Sequence, residues 1–328
     1  MRTTLPLQKQ PNIFASFKAG YQTVSKHLGL ILFPITLDLF LLFGVRITLG
    51  GMMQGLIDRF TLPASATADV IAGWNTYKAQ LSEFFRFFSL TSFLRSFPIG
   101  VPSLFSVAAF ETNPLGKLRF VELRQPNSAF LLIFGFSLLG LLLAFILYRL
   151  IANATANKPR EGLPFIDFPS LLAWLLIPLA SILLLFIVIL PVLLLVSLIG
   201  AAFPAFTTIG YFLLTLAIIS FVTPVFFTPH LIVQENLNFP QALLTSFRAV
   251  RLTNAKSTTF IFIAILINYL TNMLWRIPQD NSWMLLVSIL GHSLISIITL
   301  TASFHYISDA RARVIEFDKN QMSENILA

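Results

Sequence analysis

Residues 167–235 read DFPSLLAWLLIPLASILLLFIVILPVLLLVSLIGAAFPAFTTIGYFLLTLAIISFVTPVFFTPHLIVQE, and no Asp, Glu, Lys or Arg stands between the two terminal acids. A helix needs about 20 apolar residues to cross roughly 30 Å of hydrocarbon, so this run is too long for a single crossing. Gly200 and Pro204 lie in a cluster of small residues, where we expect the chain to turn back. The stretch therefore predicts two transmembrane helices, at 170–199 and 205–228, with almost no loop between them.

The composition of the whole chain supports a membrane protein. Of its 328 residues, 56% are hydrophobic and 11% are charged, and the mean hydropathy is +0.81. Soluble domains carry about 25% charged residues, so most of this surface is expected to meet lipid. The predicted fold is all-α: residues 1–328 form a single polytopic membrane helix bundle with about six transmembrane helices and additional interfacial amphipathic helices. The absence of cysteine excludes disulfides and thiolate metal sites.

The remaining spans flank the hairpin on both sides. Residues 1–27 are too polar for a cleavable signal peptide, so the first span is expected to act as an uncleaved signal anchor. The long segment between the first two spans contains a Phe-rich portion at 83–97 that suits an interfacial helix. The charged tail is expected to fray. The predicted bounds are 28–50 for the first span, 51–128 for the long outer segment, 129–151 for the second span, 257–275 for the fifth, 283–306 for the sixth and 308–328 for the tail.

Two amphipathic helices, at 12–27 and 238–254, are expected to lie on the membrane surface, each leading into a span. Apolar residues recur in them at spacings of three and four. They are Ile13, Phe17, Tyr21, Val24 and Leu28 in the first helix, and Phe239, Leu243, Phe247 and Val250 in the second. Asn238 is expected to cap the second helix. The candidate contacts for anionic lipid or a partner protein are the basic side chains Lys18, Lys26, Arg248, Arg251 and Lys256.

A short internal repeat links these two helices. Ser16-Phe17-Lys18-Ala19 matches Ser246-Phe247-Arg248-Ala249, and Thr23 and Lys26 match Thr253 and Lys256 at the same offset. Each copy precedes a predicted span that runs outward. Matching segments in the same topological context are typical of parallel repeats in membrane folds.

Basic residues predict the orientation in the membrane. With six spans and a cytoplasmic N-terminus, the inner segments hold most of the Lys and Arg residues, while the two short outer loops hold only Arg276. The 51–128 segment is also basic, but segments longer than about 60 residues translocate regardless of charge. The predicted location is the cell (cytoplasmic) membrane, with both termini in the cytoplasm.

Asp38 is the most informative polar residue inside a predicted span. A carboxylate at that depth costs roughly 2.5 to 3.5 kcal/mol on insertion scales, so it is expected to face the bundle interior and to have a partner. The candidate partners at matching depth are His292 and Asn268. Asp38 would act either as a proton or cation relay or as a polar clamp that fixes helix packing. A lone acid without a second intramembrane carboxylate favours the clamp.

No sequence motif indicates catalysis. The four histidines form no metal-binding pattern, and no dinucleotide, phosphate-loop, serine-hydrolase or metalloprotease signature is present. We therefore expect no enzyme activity, no metal, no cofactor and no nucleic-acid partner.

The stretch 229–266 resembles one group of membrane proteins. Its layout is a span ending in proline, an acidic turn, a surface helix that ends near an asparagine, and another span. This layout resembles that of the YciC-like proteins, which are bacterial six-span proteins, and of the membrane domain that accompanies some glycerophosphodiester phosphodiesterases. The matching residues are Pro229, Glu235, Ala242, Ser246 and Asn254. The phosphodiesterase catalytic domain is absent from this chain, so the resemblance implies no such activity.

Two functions follow as hypotheses. The first is a non-enzymatic, structural or accessory membrane protein whose surface helices contact anionic lipid or another membrane protein. The alternative is a transporter or permease subunit that uses Asp38 as an intramembrane coupling acid and docks an ATPase at the loop after the fourth span.

Overall fold

Helices make up most of the chain in the computed structural model, which describes residues 11–63, 65–96, 98–106, 111–156 and 167–327. Four short strands occur in the first half of the described chain. The helices are α1 Ile13–Lys26, α2 Leu32–Phe43, α3 Gly50–Ile57, α4 Ala68–Phe87, α5 Pro126–Thr155, α6 Phe168–Leu184, α7 Leu190–Ala202, α8 Pro204–Glu235, α9 Phe239–Trp275 and α10 Met284–Leu327. The strands are β1 Arg46–Thr48, β2 Thr112–Asn113, β3 Gly116–Lys117 and β4 Phe120–Glu122.

The length and hydropathy of these helices confirm a polytopic, all-α membrane protein. Within the described residues, five helical stretches are long and apolar enough to cross a membrane, and a sixth is reached if one bent pair counts as a single span. The bent pair is Ile13–Lys26 with Leu28–Phe43. The five stretches are Pro126–Thr155, Phe168–Gly200, Thr208–Glu235, Ala255–Trp275 and Met284–Gln321.

The first predicted span, 28–50, is wrong as a continuous helix. A 3-10 turn at Leu28–Ile31 leads into α2, which has 12 residues and ends at Phe43. At 1.5 Å per residue α2 is about 18 Å long, well short of the hydrocarbon thickness. Gly44 stops the helix in an extended conformation (ψ 172°), and the β-branched residues beyond it form β1.

The described residues of the segment 51–128 contain more regular structure than the single interfacial helix predicted at 83–97. The helix expected at 83–97 is divided: α4 ends at Phe87, and a 3-10 turn covers Leu90–Arg95. Strand β1 pairs in parallel with β4, and β2 pairs antiparallel with β3. A small core of Leu49, Leu90 and Ala129 lies under these elements.

The later helices run further than expected. Pro224 and Pro229 lie inside α8, which continues to Glu235 and stops at Asn236 in the left-handed conformation (φ 54°). The Asn238 side chain accepts the Gln241 N–H at 3.0 Å, which is the expected N-cap. Helix α9 contains both the predicted surface helix and the fifth span, with a break in its dihedral angles at Thr253 (φ −126°, ψ 19°).

The prediction that the tail at 308–328 frays is also wrong, because α10 continues to Leu327. Ala310 and Val314 are buried at 0% and 2% exposure, and Arg311 pairs with Glu235. Packing and this ion pair therefore hold at least the first turns of the charged segment in the helix.

The chain divides into two compact units. We call Met1–Leu30, Phe145–Tyr269 and Ser296–Ala328 the surface-helix unit, and Ile31–Ala144 with Leu270–Ile295 the Asp38 unit. An aromatic stack forms the core of the surface-helix unit. Its ring centroids are 4.5 Å apart for Phe260 and Tyr306, 5.7 Å for Phe227 and Tyr306, and 5.4 Å for Phe17 and Phe260.

Candidate functional site

Helix α1 buries its small residues and exposes several of its large ones. The buried residues are Ser16, Gly20, Thr23 and Val24. Phe14 and Tyr21, by contrast, are 78% and 59% exposed. The predicted apolar stripe therefore packs against protein only in part: Val24 is buried and Phe17 stacks on Phe260, but Tyr21 is exposed. Lipid tails are as apolar as these side chains, so close packing within a membrane favours small residues at the helix contact.

Gly20 permits the close approach of α1 to α10. A Cβ atom placed on Gly20 would lie 2.8 Å from both the Ala302 nitrogen and the Ile298 carbonyl oxygen. One turn further along α1, the Thr23 hydroxyl lies 2.9 Å from Nε2 of His305. Backbone contact and this hydrogen bond thus fix α1, and Lys18 and Lys26 remain exposed.

The first part of α9 is arranged in the same way. Its buried residues are Ala242, Ser246, Ala249, Val250 and Thr253. The Ser246 hydroxyl donates to the Pro224 carbonyl oxygen of α8 at 2.6 Å. Arg248 and Arg251 are exposed, and so is Leu244 at 63%.

The internal repeat is reproduced in the burial of its residues. Ser16 and Ser246 are both buried, as are Thr23 and Thr253. Both copies expose a cation at the third repeat position, Lys18 or Arg248. The two surface helices therefore use equivalent faces for protein contact and for exposure.

The motif residues at the end of α8 take structural positions. Pro229 is buried inside α8, and Glu235 accepts from Nε of Arg311 at 3.1 and 3.2 Å. Gln234 donates to the Phe304 carbonyl at 3.3 Å and to the Ser308 hydroxyl at 3.1 Å. Ala242 and Ser246 belong to the buried face of α9, and the side chain of Asn254 lies outside the described residues.

Arg149 ties α5 to the same end of α8. Its side chain is 6% exposed and donates to the Val233 carbonyl at 3.1 Å and to the Asn236 side-chain oxygen. Its guanidinium lies 3.8 Å from the Asp167 carboxylate. Sequence analysis does not single out Arg149, because hydropathy and charge carry no signal for contacts with a carbonyl oxygen 84 residues away.

A polar cavity of about 380 Å³ lies beside this end of α8. Side chains of both charge signs line it, among them Asn153, Glu235, His305, Asp309 and Arg311. In the described part of the chain, no group of three or more His, Asp or Glu side chains is arranged to hold a metal ion.

In the Asp38 unit, the Asp38 carboxylate accepts hydrogen bonds from residues 103–105, which lie outside the helices and strands. Asp38 is fully buried and accepts from the Ser103 hydroxyl at 2.6 Å. It also accepts the Leu104 N–H at 3.0 and 3.1 Å and the Phe105 N–H at 3.3 Å. Backbone N–H groups outside regular structure need a partner when they are buried, and the carboxylate supplies it.

These contacts correct the expected partners of Asp38. The sequence predicts His292 or Asn268, but the hydrogen bonds come from 103–105. Asn268 instead donates to the Ala264 carbonyl at 2.9 Å and accepts from Ser296 at 3.2 Å, and His292 is buried at 4% exposure. The sequence contains one indication of this contact. The apolar run that begins at Val101 is too short to cross the membrane, so its backbone groups need hydrogen-bond partners from the protein.

Arg46, which begins β1 shortly after the end of α2, is also buried. It is 3% exposed, and its guanidinium donates to the Leu41 carbonyl at 3.5 Å. Burial lowers the pKa of Arg46 to about 10, while the nearby Asp280 carboxylate opposes the shift. Burial likewise raises the pKa of Asp280, and Arg46 opposes that shift.

The length and hydropathy of the helices define a class, a multi-pass helical membrane protein. Comparisons with protein-family models, with curated proteins and with solved structures found no match.

Proposed function

We propose that this chain is a non-enzymatic, YciC-like protein of a bacterial cytoplasmic membrane, with both termini in the cytoplasm. Its role is structural or accessory, and its two surface helices contact anionic lipid or a neighbouring membrane protein. The observation that carries the proposal is the shared exposure pattern of α1 and the first part of α9. Both bury small residues against the bundle and expose large apolar and basic side chains together.

This exposure pattern suits a membrane interface. An aromatic or aliphatic side chain next to a cation places apolar surface among acyl chains and positive charge among phosphates. Each Lys or Arg near an anionic surface contributes about 1 kcal/mol of attraction. Four exposed cations on the two helices, Lys18, Lys26, Arg248 and Arg251, therefore favour anionic lipid around this face.

The test replaces Lys18, Lys26, Arg248 and Arg251 by Gln in the full chain. The protein is extracted from membranes in polymer-bounded nanodiscs, and the ratio of anionic to zwitterionic lipid is measured by mass spectrometry. We expect the wild type to enrich anionic lipid and the fourfold variant to lose most of that enrichment.

The matched control removes the same number of charges from the outer segment. Arg59, Lys117, Arg119 and Arg124 are all exposed there, and their replacement by Gln should leave the enrichment unchanged. Equal loss in both variants, or no loss in either, contradicts the proposal.

A further inference from the structure

A groove between α1 and α9 combines apolar walls with one cation. Its volume is about 1020 Å³, and it lies within the surface-helix unit. Phe14 and Phe17 of α1 form one wall, and Ile263 and Ile267 of α9 form the other. The Phe17 ring stacks on Phe260 of α9, which joins the two walls.

Lys256 lies at the polar end of this groove. It is half-buried, and no acidic side chain within the described residues forms an ion pair with it. Asn12 and Ile13 at the first turn of α1 also line the groove, and no acid occupies that turn. The N-terminal end of α1 and the Lys256 ammonium group therefore both border the groove, and each contributes positive charge to its lining.

The groove has the length of one membrane leaflet. Lys256, Ile263 and Ile267 follow one another along one side of α9, beyond its break at Thr253. Ile267 lies eleven helical steps after Lys256, which corresponds to about 16 Å along the helix axis. Half of the hydrocarbon core is about 15 Å thick, so an acyl chain starting beside Lys256 reaches about as far as Ile267.

We propose that this groove holds one anionic diacyl phospholipid, with its phosphate at Lys256 and its acyl chains along Ile263 and Ile267. The inference rests on the proposed contact between the surface helices and anionic lipid, and it names one place where that contact occurs. Charge complementarity selects this occupant. Residues 1–10, which precede the groove-lining Pro11 in the sequence, contain Arg2 and Lys9 and no acid, so their charge does not complement Lys256.

The first experiment measures retained lipid by native mass spectrometry of the full chain in mild detergent. Phosphatidylglycerol is the anionic probe, and phosphatidylcholine is the zwitterionic one. We expect one phosphatidylglycerol to stay bound to the wild type under activation that removes all others. Lys256→Gln should reduce the preference for phosphatidylglycerol roughly fivefold, as expected for one cation at the headgroup.

Substitutions that fill the groove distinguish lipid bound in the groove from lipid attracted by general surface charge. Ile263→Trp should abolish the retained lipid, whereas Ile265→Trp, at a 62% exposed position on the same helix that does not line the groove, should keep it. Retention in Ile263→Trp, or equal loss in Ile265→Trp, overturns the proposal. The four cations replaced in the proposed-function test lie outside the groove, so the retained lipid and the general enrichment can fail independently.

A second measurement identifies the occupant directly. The chain has no cysteine, so Ile263→Cys can be labelled selectively with a benzophenone. Photolysis should yield an adduct with phospholipid, and the same label at Ile265→Cys sets the background. An adduct with residues 1–10, or no adduct above that background, overturns the proposal.

Discussion

Asp38 is a single carboxylate that organises residues far from it in sequence. The Ser103 hydroxyl and the N–H groups of Leu104 and Phe105 all point at its two oxygens. This geometry suits a structural clamp better than a relay, because a relay needs an acceptor for the next proton or ion transfer. Arg276 also contacts this segment, and its guanidinium donates to the Leu104 carbonyl oxygen at 2.9 Å.

Replacing Asp38 by Asn tests the clamp. The amide keeps the shape of the carboxylate, and its oxygen can still accept all three donors at the Oδ1 position. It places an NH2 group at the Oδ2 position, however, where it faces the Leu104 N–H, and it removes the negative charge that strengthens all of these bonds. We expect a loss of about 1 to 3 kcal/mol in unfolding free energy. The measurement is thermal or denaturant unfolding in detergent, with proteolysis at 98–106 as a local readout.

Ser103→Ala provides the graded control for Asp38→Asn. It removes one of the hydrogen bonds and should cost about 1 kcal/mol. If Asp38→Asn leaves stability unchanged and instead abolishes a proton- or sodium-linked uptake, the coupling-acid hypothesis is correct and the clamp is not.

The elements are held by small-residue faces, and α1 shows this most clearly. Ser16, Gly20 and Thr23 form its buried face, and the backbone of α10 lies directly against Gly20. The amphipathic pattern at 12–27 is sufficient to predict the helix, but it does not single out Ser16, Gly20 and Thr23 as the contact face. In lipid, hydrophobicity does not distinguish a protein contact from an acyl-chain contact.

Gly20→Val should separate α1 from α10. The added side chain meets backbone atoms, which cannot rotate away, so we expect overpacking to cost about 1 to 3 kcal/mol. Ala15→Val, at an exposed position on the same helix, is the matched control and should change stability little. Unfolding in detergent measures both variants, and equal stability of Gly20→Val and wild type would refute the tight contact.

The sequence predicts some elements well for identifiable reasons. The Asn238 cap and the break between α8 and α9 follow from local chemistry within a few residues. The first span is mispredicted because hydropathy over 28–50 ignores the pairing of β1 with β4, whose register joins Arg46 to Phe120. The partners of Asp38 lie 65 to 67 residues away, and no local pattern records such a contact.

At the scale of the whole molecule, orientation rests on the distribution of basic residues. We propose cytoplasmic termini and an outer loop between α9 and α10, and this arrangement is testable because the chain lacks cysteine. Single cysteines at Ser25, Gln279 and Gln321 occupy exposed positions. Each introduces one labelling site without removing a buried contact.

A membrane-impermeant maleimide should label Gln279→Cys in intact cells. Ser25→Cys and Gln321→Cys should react only after permeabilisation, because they lie on the cytoplasmic side in the proposed topology. The cysteine-free wild type is the background control. Labelling of Ser25→Cys or Gln321→Cys in intact cells would contradict the proposed cytoplasmic location of the termini.

The break at Thr253 divides α9 into two helical segments that remain in contact. The Thr253 hydroxyl bonds to the Ala249 carbonyl at 2.7 Å and to the Ser257 hydroxyl at 2.8 Å, so side-chain hydrogen bonds brace the break. Because these bonds join residues on both sides of the break, we expect the part of α9 before Thr253 and the part after it to move together.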